Sequence, residues 1–248
     1  MYLYIYDSFL NDKKYNDLLI SVEKRVTDLG IKGKVARLSV LKNMKELIID
    51  GVKDGVQTVV AIGNDQTFAK VINIVADLNV TLGLIPVDNK SSLAKTLGVP
   101  PGALACEILA SRIVKKIDLG KINNNYFITG AEVINGDVII EYDKFKIMPL
   151  AEDSKINLYN FAADPLTSNR SNPIDGILET VITPLKKTLF GKKSIMQTIL
   201  PFTKIKMSSN SDEQVSILID EQIIIKTPAE VSVVPEKLKV IVGGDRQF

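Results

Sequence analysis

The chain predicts a two-part fold. An N-terminal α/β domain, a parallel sheet between helical layers (three-layer), is followed by an all-β, sandwich-like domain. Two observations carry that reading. Up to residue 112, short β-branched runs alternate with segments of helical periodicity, and the order β-α-β-α-β-α-β builds a parallel sheet covered on both faces. From Val114 onward short strands follow one another, several alternating apolar with polar as in Phe202-Thr-Lys-Ile-Lys-Met207. That alternation marks antiparallel strands with one wet face. A chain of 248 residues is long enough for two cores. The expected division is 1–120 for the α/β nucleotide-binding domain, 121–234 for the β domain, and 235–248 for a final strand and tail free to return to the first domain.

The elements follow in order. Tyr2–Tyr6 reads as a buried strand. Residues 7–14 form its loop, which lacks glycine and so holds neither a G-x-G-x-x-G fingerprint nor a Walker A loop. Leu18, Val22, Val26 and Leu29 share one helical face, with Gly30 placed to end the helix. Lys34–Leu38 is a second strand, and Met44, Leu47, Ile48 and Val52 mark a second helix. Thr58-Val-Val-Ala-Ile62 then runs into Gly63-Asn-Asp-Gln-Thr67 and a helical stretch to Leu78. Thr81–Pro86 is a fourth strand. After it come a polar loop over 87–92, a helix ending near Gly98, the breaker Pro100-Pro101-Gly102, and a helix over Ala103–Arg112. In the second part, strands are expected at 114–118, 125–134, 137–142, 144–149, 156–161, 202–207, 214–219, 223–227, 230–234 and 237–242. Residues 163–176 read as a polar loop, and Ile177–Leu189 as a helix kinked by Pro184. Gly243-Gly-Asp245 reads as a tail.

Composition narrows the chemistry. Histidine is absent, which removes Ser-His-Asp and Cys-His nucleophilic machinery and His-ligated metal sites. Proton transfer falls to Asp, Glu, Lys or Tyr. With 31 basic and 29 acidic residues the net charge is +2, so charge gives no reason to expect nucleic acid as a partner. The single Cys106 stands among apolar residues and reads as a buried core thiol suited to a reducing cytoplasm. Met1-Tyr-Leu-Tyr-Ile-Tyr6 has no basic flank and too short an apolar run for a signal peptide. No stretch approaches the roughly 20 apolar residues of a membrane span. The expected location is cytoplasmic, with peripheral membrane contact as an option, and exposed sandwich edges leave room for a homodimer.

The candidate site is the turn Gly63–Thr67. A strand that stops at a glycine and re-enters as a helix puts a helix N-terminus at the carboxyl end of a parallel strand. Unpaired N–H groups and the helix dipole there favour an anion such as phosphate.

Five stretches together resemble the catalytic region shared by diacylglycerol kinases and bacterial lipid kinases, related in fold to NAD kinase. They are Gly63-Asn-Asp-Gln-Thr67, Pro86-Val-Asp-Asn-Lys-Ser-Ser-Leu-Ala-Lys-Thr-Leu-Gly98, Ile117-Asp-Leu-Gly-Lys-Ile-Asn-Asn-Asn-Tyr-Phe127, Asp220-Glu-Gln222 and Pro235-Glu-Lys-Leu-Lys-Val240. The corresponding family patterns are Gly-Gly-Asp-Gly-Thr, Pro-Leu-Gly-Thr-x-Asn-Asp-x-Ala-x-x-Leu-Gly, Ile-Asp-Leu-Gly-Lys-x-Asn-x-x-Tyr-Phe, Asp-Gly-Glu and Pro-x-x-Leu-x-Val. The resemblance implies a nucleotide-binding domain, a β-sandwich and a cleft between them, where ATP with Mg²⁺ donates a phosphoryl group to a lipid hydroxyl. It implies nucleotide contacts from Gly63, Asn64, Asp65, Gln66, Thr67, Asn89, Ser91 and Ser92, a metal-linked role for Asp65, and a base near Glu221.

The chain departs from the family pattern at each part of that machinery. Asn64 and Gln66 replace two glycines; Asn tolerates positive φ, while Gln held there costs about 1 kcal/mol. Asp88-Asn89 stands for Gly-Thr, and Ser91-Ser92 for Asn-Asp, with the serines also placed to cap the next helix. Gln222 falls where the family has its Glu and cannot accept a proton; Glu221 lies one residue earlier, in what also reads as a plain hairpin turn. Asp118 reads as a turn or cap residue. Three functions stay open: an ATP-dependent lipid kinase, a nucleotide- or lipid-binding module that has lost transfer, and a binder of another phosphorylated small molecule.

Overall fold

The computed structural model describes residues 1–38, 43–135, 138–149, 154–161, 171–188, 191–194 and 197–248. The chain divides into two units, Met1–Ile117 with Lys237–Phe248, and Asp118–Glu236. The expected loop at 163–176 falls mostly outside the described residues.

In the first unit β-branched and aromatic runs build the sheet. Its elements are β1 (Tyr2–Tyr6), α1 (Asn16–Asp28), β2 (Gly33–Arg37), α2 (Met44–Lys53), β3 (Thr58–Gly63), α3 (Asp65–Val75), β4 (Thr81–Pro86), α4 (Ser92–Thr96) and α5 (Ala105–Ser111). Every residue of β3 and β4 is buried, as a strand covered on both faces requires. The order β2-β1-β3-β4 is parallel throughout, with registers such as Tyr4↔Val35, Tyr4↔Val60 and Val60↔Gly83. Helices contribute one apolar face each: Leu19, Val22 and Val26 from α1, and Phe68, Val71, Ile72 and Val75 from α3. Residues 7–15 form two short 3-10 turns between β1 and α1.

β5 (Val114–Ile122) carries the chain into the second unit. There follow β6 (Asn125–Phe127), β7 (Gly130–Asn135), β8 (Val138–Tyr142), β9 (Phe145–Ile147), β10 (Ser154–Tyr159), β11 (Leu178–Thr188), β12 (Gly191–Ser194), β13 (Thr198–Phe202), β14 (Lys204–Ser209), β15 (Ser216–Ile219), β16 (Ile223–Lys226) and β17 (Ala229–Ile241). One antiparallel sheet runs β12-β11-β10-β7-β15-β16, with β13 also on β11. In another, β14 lies between β8 and the first part of β17. One core draws Val133, Ile156, Leu158, Ile182 and Ile217 from the first sheet and Ile140, Ile205, Met207 and Val231 from the second, which is the packing of a sandwich. The expected fold class therefore holds in both parts.

Two expectations are corrected. Ile177–Leu189 is no helix: Leu178–Thr188 is a strand, paired with β10 through Leu158↔Thr180 and Ser154↔Pro184. Its run Thr-Val-Ile-Thr is β-branched, and that stiffness prevails over the helical reading. The strands expected at 230–234 and 237–242 are one strand, which passes through Pro235 with a positive φ of 49° at Glu236. The tail, residues 243–248, packs against the first unit's own α4 end: Gly243 N donates to the Leu97 carbonyl at 2.9 Å and Gln247 N to that of Thr96 at 2.9 Å. A Cβ on Gly243 would stand 1.9 Å from the Gly98 oxygen, so glycine is needed for the close approach.

Candidate active site

The chain leaves β1 for β2 on one side and returns across β1 to β3 on the other. The carboxyl ends of β1 and β3 are therefore the switch point of the sheet, where open α/β sheets bind ligands. Two polar segments meet there: Asp7, the first residue after β1, and the turn Gly63–Thr67 after β3. Asp7 N donates to the Ile62 carbonyl at 3.3 Å, which ties the two strand ends together.

Gly63 ends β3, and Asn64 is the N-cap of α3 in an extended conformation, φ −113° and ψ −177°. Its side chain accepts from Thr67 N at 3.1 Å, while Thr67 Oγ1 accepts from Asn64 N at 3.4 Å, a reciprocal capping box. Gln66 lies within the first turn of α3 and is exposed. Neither Asn64 nor Gln66 has positive φ, so the strain expected of Gln66 does not arise: the turn is made by a cap and a helix start, not by left-handed residues. Gly63 is needed for another reason. A Cβ there would stand 2.2 Å from Thr67 Oγ1, so the Thr67 side chain occupies the space.

Asp65 faces the next loop. Its Oδ1 accepts from Ser91 Oγ, and its Oδ2 accepts from Ser92 N at 2.9 Å and Ser92 Oγ at 3.0 Å. Ser91 also caps α4, accepting from Ala94 N at 3.0 Å. Ser91 therefore performs the capping expected there, and both serines bind Asp65. Asp65 joins the starts of α3 and α4, and its negative charge sits at the positive end of α3. Asp88 caps its own loop through Lys90 N at 2.9 Å, and Asn89 is exposed in the turn it closes.

Asp7 was not singled out from the sequence. Its Oδ2 accepts from Thr67 Oγ1 at 2.6 Å, and its Oδ1 accepts from Ser8 N at 2.6 Å and Ser8 Oγ at 3.2 Å. The signal available was position alone: a polar residue straight after the first strand.

In the second unit Asp220 and Glu221 form the turn between β15 and β16, with φ of 43° and 58°. Gln222 N donates to the Ile219 carbonyl at 2.9 Å, and two positive φ values in succession are the signature of a type I′ hairpin turn. The Asp220 carboxylate accepts from Ile128 N at 3.0 Å, Thr129 N at 3.0 Å, Gly130 N at 3.2 Å and Thr129 Oγ1 at 2.5 Å. Burial pushes its pKa up, and those hydrogen bonds oppose the rise. Glu221 is exposed. Asp118 is buried in β5 and its carboxylate accepts from Gly176 N at 2.7 Å and, in β17, from Glu236 N at 2.8 Å. Cys106 is fully buried, and desolvation raises its thiol to about 11, so it is a core residue.

Comparison with known proteins agrees with the motif resemblance. Residues 2–122 match the model of the diacylglycerol kinase catalytic domain. A diacylglycerol kinase of Bacillus subtilis (strain 168) is 35% identical over 74 residues, 28% of this chain and 24% of that protein. A Staphylococcus aureus (strain MSSA476) protein provisionally named a lipid kinase is 24% identical over 83% of this chain and 84% of its own length. Among solved structures, a diacylglycerol kinase from Bacillus anthracis str. Sterne superposes with a TM-score of 0.79, at 17% identity over 98% of this chain and 97% of that one. The fold is that of the bacterial diacylglycerol kinases.

Proposed function

We propose that this diacylglycerol kinase-like chain transfers the terminal phosphoryl group of ATP to a lipid hydroxyl. The observation that carries the reading is the Gly63–Thr67 turn at the switch point of the sheet, tied to β1 through Asp7 and to α4 through Asp65. Phosphoryl transfer is mainly positioning and charge neutralisation, so a fixed cradle of donors is its first requirement. In this reading the phosphate contacts come from the free backbone N–H groups at the start of the Gly63–Thr67 turn, with Asn64, Gln66, Asn89, Ser91 and Ser92 around them, while the buried Thr67 holds the turn in shape. The reaction then takes place in the cytoplasm at a membrane surface, where its acceptor lies. No described helix is long and apolar enough to cross a membrane.

Among the described residues no three or more His, Cys, Asp or Glu side chains stand together as a metal cage. Mg²⁺ binds through one or two carboxylates and the substrate's phosphates and keeps several waters. Asp65 is the residue to hold it: Oδ2 already accepts two hydrogen bonds but Oδ1 only one, which leaves an acceptor position. The cation supplies charge neutralisation at the phosphates. Glu221, an exposed carboxylate on a defined turn, is the proposed base for the hydroxyl proton.

A second reading, nucleotide binding without transfer, is favoured by one observation. In the family-like Asp-Glu-Gln stretch Gln222 replaces the carboxylate, and Asp220 is committed to backbone N–H groups. Incubation with labelled ATP, Mg²⁺ and a panel of lipid alcohols separates the two. The kinase reading predicts labelled lipid, lost in Asp65→Asn, which removes the carboxylate charge while keeping an acceptor. A nucleotide-induced rise in melting temperature with no labelled lipid supports the binder and rejects the kinase.

A further inference from the structure

We infer that Asp7 is a positioning residue for the nucleotide turn, acting on bound phosphate through Thr67 and not by contact with it. This rests on the nucleotide-binding reading above and extends it to a residue outside the motif.

The argument is one of proton placement. The Thr67 side chain is fully buried, and its hydroxyl has three polar neighbours: Asp7 Oδ2 at 2.6 Å, Asn64 Oδ1 at 3.2 Å and Asn64 N at 3.4 Å. A hydroxyl has one proton to give. A carboxylate acceptor at short range makes the stronger, charge-assisted bond, so Asp7 takes the proton. The Thr67 lone pairs are then turned toward Asn64 N–H, and Asn64 Oδ1 stays free to receive Thr67 N–H at 3.1 Å. Without Asp7 the proton turns to Asn64 Oδ1, and that oxygen must serve two donors. The capping box then loosens at the turn whose first N–H groups, those of Asp65 and Gln66, have no partner within the helix.

Asp7 is itself fixed. Its N–H is bound to the Ile62 carbonyl at 3.3 Å and its other oxygen to Ser8 N at 2.6 Å. With no room for a Cβ at Gly63 beside Thr67, the strand end, the hydroxyl and the carboxylate form one lock between β1 and α3. Donors held in place before the ligand arrives bind a developing charge without the cost of reorganisation.

The test is calorimetric titration of the full chain with Mg²⁺·ATP, each variant first checked for native circular dichroism and held well below its melting temperature. Asp7→Ala and Thr67→Val are expected to raise Kd by about tenfold or more, the effect of one lost charge-assisted hydrogen bond. Thr67→Ser keeps the hydroxyl and with it the link to Asp7, so it is expected to raise Kd less than Thr67→Val does. The double variant is expected to be no worse than the poorer single one, because both remove the same link. Asp7→Asn keeps the shape and an acceptor, so it decides the matter where Asp7→Ala does not fold; about a fivefold rise is expected. Wild-type Kd in both Asp7→Asn and Thr67→Val overturns the positioning role and leaves the nucleotide reading standing. A wild-type chain that shows no heat of binding overturns both.

Discussion

At the scale of the residue, two aspartates beside family-like motifs have turned out to organise backbone. Asp220 accepts four hydrogen bonds from Ile128, Thr129 and Gly130, and Asp118 accepts from the backbone N–H groups of Gly176 and Glu236. Removing a buried acceptor strands its donors, and each stranded group costs about 1–3 kcal/mol. Asp220→Ala is therefore expected to lower unfolding stability by roughly 3 kcal/mol or more, read from urea midpoints at pH 7. A loss under about 0.5 kcal/mol, the range of an ordinary surface change, would show that the clamp is of no account. The contacts of Asp65 with Ser91 and Ser92 join two stretches picked out by motif, and the strain argued for Gln66 at positive φ does not apply. That cost arises only where a left-handed residue is needed, and here Asn64 supplies a helix cap in an extended conformation instead. The role of Asp7 is not legible in the sequence, because it comes from Thr67, 60 positions away.

At the scale of the element, what was legible depended on whether a strand's neighbours were local. The first-unit strands and helices alternate, and each carries its own period, so β1, β3, β4 and α3 were plain. The stretch Leu178–Thr188 was not, because Pro184 and the flanking lysines resemble the end of a helix, and only pairing with β10 and β13 makes it a strand. Likewise Pro235 bends β17 without ending it. The β15–β16 turn yields a prediction that separates stability from chemistry. Glu221 holds φ at +58°, a region costing a non-glycine residue about 1 kcal/mol. Glu221→Gly is expected to raise stability by about 0.5–1 kcal/mol and, where Glu221 is the base, to abolish lipid phosphorylation. A more stable variant with undiminished turnover would remove Glu221 from the mechanism.

At the scale of the whole molecule, the class of fold was readable from grammar: alternation of helix and strand gave way to uninterrupted strands after Val114. The chain returns to the first unit from Lys237. The way residues 243–248 dock on the end of α4 is not legible in the sequence, since it depends on glycine-to-glycine contact between Gly98 and Gly243. The central claim is that nucleotide binds at the α3 turn. Hydrogen exchange of backbone amides, with and without saturating Mg²⁺·ATP, tests it most directly. The account predicts slowed exchange concentrated in Gly63–Phe68 and Ser91–Lys95; nucleotide that binds and leaves those amides unchanged would contradict it.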